Sequence, residues 1–378
     1  TAAKTSFVGK IAADGQTLAG TLTADGTPLP LTLARADGPF VTARPQEPKP
    51  PYPYALREVV IDQPDAPGVS LAGTLSQPNG AGPWPAVVLI AGSGPNDRDE
   101  AVFGHKPFAV LADHLTRAGV AVLRYDKRGI GGSKGDYAKA TTTDFTADAR
   151  ACWRWLCGQP GIDAARVGLL GHSGGGLIVP LVTREEPSVA FAVLIGAPAV
   201  TGAEILTHQA LLMARAMGAD EKTLAAMEPA HRALVKGVLA GATVDELRPL
   251  VNALIVAQGQ PANDKVADSL ADTLLSPWMR AFLSYDPAPA LRGLKLPVLT
   301  MTGELDLQVD TRQNLPPMVA AFEAGGVRDY TIVRVAGANH LLQPAKTGAV
   351  DEYARIETTM LPGALSQVTS WILSRVGR

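Results

Sequence analysis

The fold of this chain is decided by one stretch, Val167-Gly-Leu-Leu-Gly171-His-Ser173-Gly-Gly-Gly176-Leu-Ile-Val-Pro-Leu-Val182. Its first four residues are apolar on both faces, which is typical of a central parallel strand covered by helices. Glycines on both sides of Ser173 allow a sharp turn, because they carry no Cβ atom. The pattern Gly-x-Ser-x-Gly therefore predicts a strand-to-helix turn that holds the Ser173 hydroxyl clear of the sheet.

A second serine fits the same pattern, in Gly131-Gly-Ser133-Lys-Gly135. It also follows a predicted strand, residues 120–125. However, polar residues 136–143 follow it, where the pattern needs an apolar helix. We therefore predict that Ser133 is a loop residue and that Ser173 is the candidate nucleophile.

The composition excludes several classes of protein. The chain has 378 residues, of which 46% are hydrophobic and 19% charged, so it can bury a large core. Its net charge of −2 lacks the positive excess that is typical of proteins that bind nucleic acid or an anionic membrane. No apolar run approaches the roughly 20 residues of a membrane-spanning helix. The 2 cysteines, Cys152 and Cys157, are predicted to be free thiols on one helix, with no disulfide framework or cysteine metal site.

The N-terminal part of the chain differs from the rest. Asp-Gly pairs at 14–15, 25–26 and 37–38 predict hairpin turns, so we expect residues 1–44 to be a β-rich segment. The proline-rich residues 45–54 predict a semi-rigid linker. The chain starts with Thr1, so we expect a processed or truncated N-terminus. The compartment stays open between a secreted or periplasmic location and the cytoplasm.

The remaining residues predict an α/β protein with an insertion. Strands alternate with helices over residues 55–199 and 292–378, which favours a mostly parallel, doubly wound sheet. Between them, residues 200–291 have only helical periodicity. We expect a helical cap over the edge of the sheet that carries Ser173; an oligomerisation element is the alternative.

A serine hydroxyl needs a base within hydrogen-bonding reach, and the base needs a group that orients it. The chain has 6 histidines. His340 lies directly after the predicted strand 330–335, and sites assemble at the C-terminal ends of parallel strands. We therefore predict that His340 is the base. The side chain of His172, inside the turn, must diverge from that of Ser173.

Three acidic residues could orient His340, since Glu304, Asp306 and Asp310 all follow the predicted strand 297–302. We choose Asp306. The order along the chain is then serine, acid, histidine, which differs from that of chymotrypsin and subtilisin.

An acyl-transfer intermediate carries an oxyanion that needs backbone N–H donors. One donor should be Gly174, the residue after the nucleophile. The other should come from the glycine turn that follows the predicted strand 86–90. Within that turn, Ser93 is our first choice and Gly94 the second.

Two charged stretches, Asn96-Asp-Arg-Asp-Glu100 and Tyr125-Asp-Lys-Arg-Gly129, follow neighbouring predicted strands. We expect them to form a salt-bridged brace behind the site. The candidate substrate contacts are Arg98, His172, Met213 and Trp278. The chain carries no phosphate-binding loop, no complete dinucleotide motif and no His-Glu-x-x-His, so we predict no metal and no organic cofactor.

Taken together, these motifs resemble the serine α/β-hydrolases. Within them the chain is most similar to the bacterial carboxylesterase group that carries Gly-Ser-Gly-Pro-Asn-Asp-Arg-Asp in its oxyanion loop, here residues 92–99. The resemblance covers about residues 55–378. It implies an α/β-hydrolase fold with a helical cap, and a triad of Ser173, Asp306 and His340. It also implies carboxylesterase chemistry on short- to medium-chain acyl esters. The N-terminal β-rich segment resembles the tail of a longer domain on some secreted relatives.

The sequence thus predicts a serine carboxylesterase that acts on a small-molecule ester through an acyl-enzyme, with no nucleic-acid partner. An aminopeptidase-like or acyl-transferring serine hydrolase is the alternative among enzymes. A non-catalytic ligand-binding protein on the same fold is the alternative outside them, and it would predict a broken triad. The oligomeric state is not predicted.

Overall fold

The computed structural model describes residues 5–24, 27–35 and 42–377. The chain divides into two compact units, Thr1–Ala43 and Arg44–Arg378. In the first unit, three strands form an antiparallel sheet, as the β-rich pattern predicts: β1 (Thr5–Ile11), β2 (Thr17–Ala24) and β3 (Thr27–Ala34). Asp14 and Gly15 lie in the turn between β1 and β2. The turns predicted at 25–26 and 37–38 lie outside the described residues.

The proline-rich residues expected to form a linker lie within the second unit. The Gln46 side chain donates to the Met360 carbonyl at 2.7 Å and accepts from the Thr359 N–H at 2.7 Å. Glu47 pairs with Lys106. A proline-rich sequence indicates an extended backbone, but these distant partners are what attach the segment to the second unit.

The second unit is built on an eight-stranded sheet with β8 near its centre. The strands β4-β5-β7-β6-β8-β9-β10-β11 lie in that order. The pairs β4-β5 and β5-β7 are antiparallel and the other pairs are parallel. These strands are β4 (Tyr54–Asp62), β5 (Ser70–Pro78), β6 (Trp84–Ile90), β7 (Ala121–Tyr125), β8 (Ile162–His172), β9 (Ala192–Ile195), β10 (Val298–Gly303) and β11 (Tyr330–Val335).

Helices cover both faces of this sheet, and its strands are apolar for that reason. Along β6, Val88 and Ile90 belong to one hydrophobic cluster, whereas Val87 and Leu89 belong to another on the opposite face. Strand and helix thus alternate as predicted. The helices of the core are α1 (Pro107–Arg117), α2 (Thr142–Cys157), α3 (Gly175–Glu185), α10 (Thr311–Gly325), α11 (Val350–Tyr353) and α12 (Pro362–Val376).

The segment between β9 and β10 is helical throughout its regular structure. Its helices have a hydrophobic cluster of their own, which also includes Leu177 of α3 and Val309 near the end of β10. The cap therefore packs on the helix that follows Ser173. These helices are α4 (Gly202–Ala216), α5 (Glu221–Leu239), α6 (Val244–Ala257), α7 (Asp264–Leu274), α8 (Pro277–Ser284) and α9 (Ala288–Arg292).

The helical periodicity of the cap does not indicate the break between α7 and α8, which end and begin at Leu274 and Pro277. The Ser276 side chain accepts from the Met279 N–H, which begins α8, and Pro277 occupies the first position of that helix. Proline suits a first turn but interrupts a helix that reaches it from the N-terminal side. Across the described residues, no helix is both long and apolar enough to cross a membrane. Cys152 and Cys157 are free thiols, as predicted.

Candidate active site

The backbone at Ser173 is strained. β8 ends at His172, α3 begins at Gly175, and Ser173 between them has a φ of 51°. Residues other than glycine rarely adopt this conformation, and it is retained mainly at functional sites. A Cβ atom on Gly171 would lie 2.3 Å from the Gly175 oxygen, and one on Gly175 would lie 2.1 Å from the Ile90 oxygen. The glycines are therefore required by close packing of backbone around a protruding serine.

His340 is held by a buried carboxylate. Its Nδ1 lies 2.7 Å from Oδ2 of Asp306, and the two residues are 4% and 1% exposed. Oδ1 of Asp306 accepts from the N–H groups of Gln308 and Val309, both at 2.8 Å. Because a carboxylate accepts, Nδ1 carries the hydrogen and Nε2 is left to act as a base.

The two other acidic candidates have different partners. Glu304 pairs with Arg334 at 3.2 Å on the surface. Asp310 caps α10 and contacts His208 of the cap at 3.0 Å. Of the three candidates, only Asp306 contacts His340 within the described residues, which agrees with the choice made from the sequence.

Ser173 and His340 line the same cavity, which has a volume of about 130 Å³. Ser173 comes from the end of β8 and His340 from the loop after β11, so strand ends bring them together. The other residues that line the cavity are Gly92, Ser93, Asn96, Glu100, Val102, Phe103, His172, Gln308, Leu341 and Tyr353.

Ser93 and Gly174 meet beside this cavity. A Cβ atom on Gly174 would lie 3.1 Å from the backbone nitrogen of Ser93. Over residues 42–377, neither N–H donates to another group of the protein. Two adjacent free N–H groups next to a serine are what an oxyanion hole requires. Gly94, the second choice, does not line the cavity that Ser173 and His340 share.

The sequence did not reveal a buried pair in the wall of the cavity. Nδ1 of His172 lies 2.9 Å from Oε1 of Glu100, and Nε2 lies 3.1 Å from the His340 carbonyl oxygen. Burial lowers the pKa of His172, but the Glu100 carboxylate, the His340 carbonyl and Asp306 together outweigh burial, so the net pKa is raised. Glu100 also accepts from the Gly92 N–H at 2.6 Å. The pair therefore links the Ser93 turn to the loop of His340.

Lys127 lies in the stretch predicted to form a brace, yet its ammonium reaches the turn that contains Ser93. It lines a second, narrow cleft with Ser93, Gly174 and apolar side chains of α2, α3 and α8. Trp278, a predicted substrate contact, belongs to this cleft and stacks on Phe282 at 5.1 Å. Met213 is half-buried on α4, and the described lining of the two cavities does not include it.

Arg98 is part of the predicted brace. Its Nε and Nη2 donate to the two carboxylate oxygens of Asp126 at 3.1 and 2.8 Å. Nη1 donates to Thr74 at 2.9 Å and pairs with Glu58. Arg98 is thus held by the protein and does not line the cavity of Ser173.

Ser133, the other serine with the same motif, has a structural role. Its Oγ donates to the Asp126 carbonyl oxygen at 2.7 Å and accepts from the Ala72 N–H at 2.9 Å. The side chain is buried. Ser133 is therefore a loop residue, as predicted.

The arrangement suits acyl transfer. It combines a strained serine, a histidine oriented by a buried carboxylate, and two free N–H groups. Among the described residues, no three His, Cys, Asp or Glu side chains are grouped in a way that could hold a metal ion.

Sequence comparisons match part of the chain. The family described as "Serine aminopeptidase, S33" matches residues 106–244. The esterase EstD of Thermotoga maritima is 35% identical over 139 residues, which are 37% of this chain and 33% of that esterase. The chain thus spans about a third of the length of this curated relative.

Structural comparisons cover most of the chain. The α/β hydrolase GrgF from Penicillium has a TM-score of 0.54 at 15% sequence identity. The match covers 85% of this chain and 99% of the GrgF chain. The Pyrococcus furiosus esterase Pf2001 has a TM-score of 0.53 at 15% sequence identity. The match covers 90% of this chain and 100% of the Pf2001 chain. At such identities the likeness shows the fold alone, which is the α/β-hydrolase fold.

Proposed function

We propose that this chain, a member of the serine α/β-hydrolase superfamily, is a carboxylic ester hydrolase with Ser173 as its nucleophile. One observation carries the proposal: a strained serine lines the same cavity as a histidine whose other nitrogen is bound to a buried carboxylate. A structural serine has no need of either feature, as Ser133 illustrates.

The reaction proceeds in two halves. His340 Nε2 takes the proton from Ser173 Oγ, which attacks the ester carbonyl carbon. The oxyanion that forms is held by the N–H groups of Ser93 and Gly174, and Asp306 stabilises the imidazolium. His340 then gives the proton to the departing alcohol, which leaves an acyl-enzyme. A water molecule, activated by His340, releases the acid and regenerates Ser173.

The two cavities suggest how the ester is oriented. The leaving alcohol must lie beside His340, which protonates it, so it fits the cavity that His340 shares with Asn96 and Gln308. The acyl group then enters the cleft beside Ser93 and Gly174, whose walls include Leu177 and Trp278. The narrowness of this cleft favours short acyl chains over medium ones.

The test is a series of nitrophenyl esters from acetate to decanoate. We expect wild-type rates to be highest for short chains, and Ser173→Ala to abolish them while the fold is retained. Ser133→Ala is the matched control, since it removes a serine of the same motif; it should stay active and lose about 1 kcal/mol of stability with its hydrogen bonds. Equal turnover in wild type and Ser173→Ala would overturn the proposal.

A second candidate is an aminopeptidase, which the description of the matching family favours. A peptide amine needs an acidic anchor near the nucleophile. Glu100 lines the cavity of Ser173, but its Oε1 already accepts from the Gly92 N–H and contacts Nδ1 of His172. Esters are therefore the better substrates, and aminoacyl nitroanilides assayed beside them decide between the two. Stoichiometric binding of these compounds with no turnover would instead indicate a ligand-binding protein.

A further inference from the structure

Lys127 is buried without an ion-pair partner. It is 6% exposed, and in the described part of the chain no carboxylate lies within ion-pair distance of its Nζ. The Phe145 ring centroid lies 5.0 Å from Nζ, and the Glu100 carboxylate stabilises the ammonium from beyond ion-pair distance. Burial lowers the pKa of Lys127 to about 8. Burying an unpaired ammonium group costs folding free energy, so the position of Lys127 needs an explanation other than stability.

The ammonium group of Lys127 is directed at the turn that contains Ser93. Its Nζ donates to the Gly92 carbonyl oxygen and, at 3.0 Å, to that of Gly94. Asn96 Nδ2 donates to the same Gly92 oxygen at 2.8 Å. On the other side of Gly92, the N–H donates to Glu100. Buried charges of opposite sign thus hold the two polar groups of one glycine.

The Gly92 carbonyl and the Ser93 N–H belong to the same peptide unit. In a planar trans peptide these two groups point in opposite directions. Because the Gly92 carbonyl points toward Lys127, the Ser93 N–H must point away from Lys127. If this peptide turned over, it would present the Gly92 oxygen to the oxyanion. Glycine before Ser93 and glycine after it leave the backbone little resistance to such a rotation.

We propose that Lys127 is the positioning residue of the oxyanion hole: by holding the Gly92 carbonyl, it keeps the Ser93 N–H directed at the reacting carbonyl oxygen. The inference rests on the proposed ester hydrolysis. The Lys127 side chain lines the cleft for the acyl group, but its Nζ donates to the Gly92 and Gly94 carbonyl oxygens and not to a reacting atom of the ester. It acts through the orientation of one peptide and so affects the transition state more than the bound ester.

The test is Lys127→Met, which keeps the length of the side chain and removes its donors. We expect kcat on nitrophenyl acetate to fall about 100-fold, as for the loss of one oxyanion donor, with KM changed less than threefold. The Ki of a trifluoromethyl ketone, whose adduct with serine carries an oxyanion, should rise by the same factor as kcat falls. The affinity for the matching unreactive amide should not change. Lys139→Met, at a lysine whose side chain is 85% exposed, is the control and should match wild type.

A second variant covers the case in which Lys127→Met does not fold. Asn96→Ala removes the other donor to the Gly92 oxygen and should lower kcat and weaken the ketone in parallel, by a smaller factor. Equal losses for the ketone and the amide would indicate a general structural role and overturn the inference. So would full activity of Lys127→Met. In either case loss of turnover in Ser173→Ala would leave the proposed function standing, whereas an active Ser173→Ala would refute that function itself.

Discussion

The burial of charged Lys127 lowers the free energy of unfolding, and this effect can be measured separately from catalysis. In the folded protein its pKa is about 8, against an ordinary value of 10.5. The unfolded chain therefore binds more protons between these two pH values, so the free energy of unfolding rises with pH across that interval. Each pKa unit corresponds to about 1.4 kcal/mol, so wild type should gain about 2–3 kcal/mol from this group between pH 7 and pH 10.

Lys127→Met removes the titrating group and provides the reference. Equilibrium urea unfolding of wild type and variant, measured at pH 7, 8, 9 and 10, gives the difference in free energy at each pH. We expect the variant to lose about 2–3 kcal/mol relative to wild type between pH 7 and pH 10, because wild type sheds its buried charge and the variant has none. The N-terminal unit is the same in both proteins, so its contribution cancels.

A pH-independent difference would refute this reasoning. It would mean that Lys127 titrates in the folded protein as it does in the unfolded chain, and so that water or an anion reaches its ammonium group. The Lys139→Met control, at an exposed position, should give that flat result.

Two further predictions concern the buried carboxylates. Asp306→Asn should lower kcat about 10³–10⁴-fold, because an amide no longer fixes the tautomer of His340; steady-state rates on nitrophenyl acetate test this, and a loss under tenfold would contradict it. Glu100→Gln combined with His172→Gln removes the other pair. Since the pKa of His172 is raised above 6.5, the stability that wild type has over this double variant should be complete below pH 6.5 and lost as pH rises through the raised pKa. Urea unfolding between pH 6 and 9 measures it, and a constant difference would argue against a charged His172.

Much of the fold and of the candidate site follows from local patterns. Ser173, His340 and Asp306 could be predicted because each directly follows a strand, and the ends of parallel strands converge. The sharp turn at Ser173 could be predicted because glycines at positions 171, 174 and 175 carry no Cβ atom. These features depend on residues that are close in sequence, together with one topological rule.

The features that could not be predicted depend on distant residues. Glu100 and His172 lie 72 positions apart, and nothing in either stretch indicates that the two side chains meet. Lys127 sits among charged residues that do form the predicted brace, so its sequence context suggests a salt bridge. Which group it contacts depends on how the turn after β6 packs against the residues that follow β7. Similarly, no sequence pattern indicates that the Gln46 side chain accepts a hydrogen bond from the Thr359 N–H.

The contact between His172 and the His340 carbonyl joins positions 168 residues apart. During synthesis on a ribosome, Ser173 emerges long before the loop that carries His340. A nascent chain that has already formed β8 and α3 therefore displays Ser173, the proposed nucleophile, with neither His340 nor Asp306 to activate it. The proposed hydrolysis can begin only after β11 has joined the edge of the sheet. The onset of the proposed esterase activity would thus indicate that translation has passed residue 340 and that the sheet is complete.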